Sequence, residues 1–74
     1  MSLVRVITKD YRVLADKGYE KDLETAEVKE VCNKYKDAIG AYYFSNDDIR
    51  RGYDHPLFIP TDAYKKYLMD NNLW

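Results

Sequence analysis

His55 is the one histidine of the chain and the only side chain that titrates near neutral pH unaided. Asp54 beside it, with Asp47 and Asp48 shortly before, raises the question of an acid–base pair or a metal site. The spacing argues against both. Neighbours in extended chain point apart, and a transition-metal site usually takes three or four protein ligands, mostly His or Cys. The run from Asn46 to Arg50 also lacks the alternating oxygen ligands and the sixth-position glycine of a calcium loop. The expected role of these residues is structural, as helix-start acids and a loop histidine, with no bound metal and no cofactor.

Cys32 falls mid-face on an amphipathic segment beside Val28, Val31 and Tyr35. A reactive thiolate needs a helix N-terminus or a neighbouring base, so Cys32 is expected to pack as a small hydrophobe. Ser45 has no nucleophile-elbow context and sits three residues before Asp48, the spacing of a helix cap. The three glycines are too dispersed to cradle a phosphate. No catalytic constellation emerges, and the chain reads as a non-enzyme.

The compositional oddity is eight tyrosines among 74 residues. They cannot all be buried with satisfied hydroxyls in so small a protein. Tyr35, Tyr64 and one of Tyr42 and Tyr43 are the expected core members. Surface tyrosine beside arginine is the usual make-up of a binding hot spot. The expected partner-binding patch is Tyr42, Tyr43, Arg50, Arg51 and Tyr53, joined by Trp74. The same patch admits single-stranded nucleic acid, with rings on bases and arginines on phosphates. Charge disfavours that alternative: residues 1–40 are balanced, residues 41–74 carry one excess acid, and the chain's net charge is −1.

The elements that must carry this patch follow from periodicity. Residues 3–15 admit two readings. In the first, a hairpin turns at Lys9-Asp10 and pairs Val6 with Val13 and Val4 with Ala15. Its second face is then a mixed set of Arg5, Ile7, Arg12 and Leu14. In the second, a strand over residues 3–7 leads into a helix capped by Thr8 and stopped by Gly18. The hairpin is preferred, although Lys-Asp is a poor two-residue turn. Residues 22–39 place Val28, Val31, Cys32, Tyr35, Ala38 and Ile39 at helical steps, with Asp22 or Thr25 as cap and Gly40 as stop. Residues 41–44 form a short strand, Ser45 opens a short helix, and residues 52–60 form an ordered loop around two prolines. Thr61 caps a last helix with Tyr64, Tyr67 and Leu68 in a stripe. The expected fold is therefore α+β, one small domain over residues 1–74. Two or three short antiparallel strands would pack against one long amphipathic helix, with a short helix and a C-terminal helix.

A hydrophobic fraction of 46% supports a core, though a chain of this length buries only about 60% of its unfolded surface. No apolar run approaches the roughly 20 residues of a membrane span, and no secretory h-region appears, so the expected location is cytoplasmic with no membrane partner. In its shortness, expected cytoplasmic location, lack of motifs and aromatic content the chain resembles the small accessory or inhibitor proteins of phages and mobile elements, a likeness of type that rests on no motif. It implies a partner protein blocked sterically. The expected function is binding to another protein, with a homodimer as a further form and nucleic acid as the alternative.

Overall fold

The computed structural model describes residues 1–73. Strands β1 (Ser2–Thr8) and β2 (Val13–Tyr19) precede helix α1 (Thr25–Asn33). Strand β3 (Ala38–Phe44), helix α2 (Asn46–Arg50), strand β4 (Leu57–Pro60) and helix α3 (Asp62–Asp70) complete the chain. The strands make one antiparallel sheet in the order β2-β1-β3-β4. The class is α+β as expected, with four strands in place of two or three and a first helix of nine residues in place of the long one, beside the expected short and C-terminal helices.

The hairpin reading holds, in a register two residues away from the expected one. Val6 pairs with Ala15, Val4 with Lys17 and Ser2 with Tyr19. The reason is the turn: Lys-Asp does not adopt the primed geometry a two-residue loop needs, so the chain spends residues 9–12 on the reversal. Tyr11 takes the left-handed conformation at φ 64°. Its N–H donates to the Thr8 carbonyl at 3.0 Å, and the Arg12 N–H donates to Thr8 Oγ1 at 3.0 Å. A bulge between Val6 and Ile7 then sets Val13 opposite Ile7, on the face away from Val4 and Val6.

Helix α1 ends at Asn33, well short of the expected residue 39. Tyr35 and Ala38 donate to the carbonyls three residues back, from Cys32 and Tyr35, and the chain enters β3 at Ala38. Pairing of residues 38–44 with β1 overrides a periodicity that continued to fit a helix. Its N-cap is Glu24, whose N–H donates to Glu27 Oε1 at 3.1 Å, and neither Asp22 nor Thr25 caps it. Asp22 instead accepts from the Asn46 N–H at 2.8 Å and ties the lead-in of α1 to α2. The expected loop over residues 52–60 contains a strand, β4, which tolerates Pro60 because it lies on an edge. Ser45 and Thr61 cap α2 and α3 as expected, accepting from the N–H groups of Asp48 and Tyr64.

Residues directly opposite in a sheet share a face, so Val4, Val6, Ala41, Tyr43 and Ile59 point together. They meet Val28, Val31 and Cys32 of α1 to form the core, with Tyr35 only half-buried at its margin. Gly40 is no helix stop. It lies in β3 where β4 approaches so closely that a Cβ would stand 2.5 Å from the Ile59 carbonyl oxygen and 2.8 Å from Pro60 Cα.

Two predictions follow from this packing. Gly40→Ala should lower stability by about 1–3 kcal/mol in urea titration, because backbone cannot step aside as a side chain can. Gly18→Ala, where a Cβ meets nothing within 4 Å, should stay within about 0.5 kcal/mol. The second prediction concerns acid. The Asp62 carboxyl is held below its ordinary 3.8, first by its hydrogen bond from Lys29 and then by the charge of Lys29. A depressed carboxyl stabilises the fold above the unfolded value and loses that contribution as pH falls through the folded one. The stability difference between wild type and Lys29→Met should therefore be present at neutral pH and close below pH 3.8, read from urea midpoints across pH.

Candidate binding surface

The strand alternation that turns Val4, Val6, Ala41 and Ile59 inward turns Arg5, Ile7, Tyr42, Phe44 and Phe58 to the second face. Two elements cover that face only at its ends. Tyr53, after α2, stands edge-on to Phe44 with ring centroids 5.7 Å apart. Helix α3 lies over the other end with Tyr64 and Leu68. Between them Tyr42 and Phe58, a cross-strand pair, meet at 5.4 Å. Arg5 lies 5.8 Å over the Phe44 ring and binds Asp16, its cross-strand neighbour, through Nε at 2.8 Å. That hydrogen bond pushes the Arg5 pKa up and keeps the guanidinium charged and oriented.

An apolar cleft of about 270 Å³ opens where this face meets α3. Ile7, Ile39, Tyr42 and Phe58 form its floor, Tyr64 and Leu68 one wall, and Tyr11 stands at the mouth. The hairpin turn reaches α3 here, with Lys9 Nζ 5.2 Å from the Tyr67 ring centroid. No lining residue is charged. The volume lies at the lower end of the roughly 300–1,000 Å³ range of small-molecule sites.

The expected patch is brought together only in part. Tyr42 lies at the centre of the exposed face and Tyr53, 56% exposed, at one end. Arg50 and Arg51 are exposed at the C-terminal end of α2, just before Tyr53. Tyr43 points the other way: it is 8% exposed, and its hydroxyl accepts from the Leu23 N–H at 2.7 Å. It is the core member of the Tyr42/Tyr43 pair and does not reach the surface. Trp74 lies outside the described residues. Tyr64, expected in the core, is half-buried in the cleft wall.

Arg5, Phe58, Tyr11 and Leu68 were not part of the expected patch. Their signal was the mixed face of the hairpin, where Arg5 and Ile7 alternate with inward valines, and the alternation of Phe58 with Ile59. The chemistry-bearing residues elsewhere are unremarkable. His55 Nε2 and Asp54 Oδ2 are 3.4 Å apart on an exposed loop, and no group of three metal-ligating side chains occurs among the described residues. Cys32 is 1% exposed, and burial pushes its thiol pKa up, away from thiolate. Among the described residues no helix is long and apolar enough to cross a membrane.

No family model matches the chain, and neither a curated protein nor a solved structure shows detectable similarity to it. The assignment of the two tyrosines to opposite faces is testable by hydroxyl deletion. Tyr43→Phe leaves the Leu23 N–H without its acceptor and should cost about 1–3 kcal/mol in thermal or urea unfolding. Tyr42→Phe, on the exposed face, should change stability by less than about 0.5 kcal/mol.

Proposed function

We propose that the protein is a non-enzymatic binding module that attaches to another protein through the second face of its sheet and acts by steric occupation, as small inhibitor or accessory proteins do. The observation that carries this reading is the uncharged cleft beside the half-buried Tyr42 and Phe58 rings, with exposed Tyr53 beyond the buried Phe44, a shape that accepts an anchoring side chain from a partner. Arg5, fixed by Asp16, supplies an oriented donor beside the rings without adding net charge. A contact of standard size would take roughly 800 Å² from this side, more than the cleft alone, so Tyr53 and the end of α2 belong to it.

A second reading, single-stranded nucleic acid, draws on Tyr53 standing beside Arg50 and Arg51 at the end of the ring row. The chain's net charge of −1 and the neutral cleft weigh against it.

Affinity capture from lysate of the native cell, with and without nuclease, separates the two when run with matched variants. The expected result is one protein held near stoichiometry after nuclease by wild type and by Lys34→Ala at the exposed C-cap of α1. Tyr42→Ala/Phe58→Ala, checked for folding by circular dichroism, should weaken that capture at least about tenfold. Capture unaffected by the double substitution would move the interface off this face. Capture that disappears with nuclease would replace the protein reading with the nucleic-acid one.

A further inference from the structure

Four of the seven side chains that line the cleft of the second face are aromatic: Tyr11, Tyr42, Phe58 and Tyr64. The others are aliphatic, so among the described residues no charge stands in the lining. The face of an aromatic ring carries negative potential, and a phenol oxygen adds an acceptor. Such a lining attracts a cation and offers an anion no positive charge to meet.

The rings on either side of the cleft already take cations. The Arg5 guanidinium lies 5.8 Å from the Phe44 centroid, and Lys9 Nζ lies 5.2 Å from the Tyr67 centroid. Tyr67 in turn stacks on Tyr64 of the cleft wall, with centroids 5.8 Å apart and planes 25° apart. Phe44 follows Tyr42 by two residues along β3 and so shares its face. The cleft therefore lies within a row of rings whose two ends each hold a cation of this chain. The charge of Arg5 is offset by Asp16 at 2.8 Å, and Lys9 stands on the exposed hairpin turn, where water and salt screen it. Neither charge forbids a third cation between them.

Hydration decides which cation. The lining has no carboxylate to compensate a strongly hydrated ammonium, whereas a guanidinium is weakly hydrated and stacks flat on rings. About 270 Å³, the share of roughly nine waters, has room for an arginine side chain. Arginine is also among the residues most enriched at binding hot spots.

We propose that the anchor taken by the cleft is an arginine side chain of the partner protein, its guanidinium held against the rings of Tyr42, Phe58 and Tyr64. The inference rests on the reading of this face as a protein-binding surface and names the chemistry that the surface binds.

Chemical-shift titration of the full chain with blocked pentapeptides that carry arginine or leucine between glycines tests it. The arginine peptide should shift the resonances of Ile7, Tyr42, Phe58 and Tyr64 with a dissociation constant in the millimolar range, at least about threefold below that of the leucine peptide. Trifluorophenylalanine in place of Phe58 drains electron density from the ring face while nearly keeping its shape. It should weaken the arginine peptide at least about threefold and leave the leucine peptide within about twofold. Lys9→Gln removes a cation beside the ring stack and should tighten the arginine peptide about twofold, with the leucine peptide unchanged. Leucine bound as tightly as arginine, or arginine binding indifferent to fluorination, would overturn the arginine anchor and leave the protein-binding face standing. No shift in the cleft with either peptide up to about 50 mM would overturn the arginine anchor and the cleft's place in the interface together.

Discussion

The pairing of β1 with β3 is the interaction on which everything else in this protein rests. It joins residues 30 to 41 positions apart, sets Val4 opposite Tyr43 and Val6 opposite Ala41, and so creates the surface on which α1 buries Val28, Val31 and Cys32. Strand β2 is held to the sheet through β1, and β4 through β3. A chain of 74 residues has little surplus burial, so a core built from four valines, a cysteine, an alanine, an isoleucine and a single tyrosine requires close approach of its layers. The small residues at Gly40 and Ala41 permit that approach, and any side chain at Gly40 would push β4 away.

The exposed face is a consequence of the same pairing. Each inward residue of β1, β3 and β4 obliges its neighbour to face outward, and those neighbours are Arg5, Ile7, Tyr42, Phe44 and Phe58. With one helix on its first face and its second face covered at the ends, the sheet buries Ile7 and Phe44 and leaves the Tyr42 and Phe58 rings half-buried. This is why a protein of this size can be both stably packed and rich in tyrosine. The hydroxyls resolve by position: Tyr43 satisfies a backbone N–H in the interior, while Tyr11 and Tyr53 keep theirs near water on left-handed turn residues.

The asymmetry of the sheet extends to its edges. The β4 edge is a four-residue strand ending in proline, whereas β2, at the other edge, is a seven-residue strand without proline.

Local chemistry was legible in the sequence because it depends on near neighbours. Ser45 with Asp48, Thr61 before its helix, the amphipathic start of α1 and the buried fate of Cys32 are all decided within a turn of helix. The α+β class and the preference for a hairpin at the N-terminus followed from patterning alone. What the tertiary structure decided is everything that depends on a distant partner. Ala38 and Ile39 fit a helical period as well as a strand, and only β1 lying alongside assigns them to β3. Leu57 to Pro60 reads as loop until β3 offers an edge. Tyr42 and Tyr43 are indistinguishable in composition and propensity, and a one-residue difference in register sends one to solvent and the other to the core. A side chain's face is a property of pairing, and pairing between residues 3 and 44 is not encoded in the residues near either one.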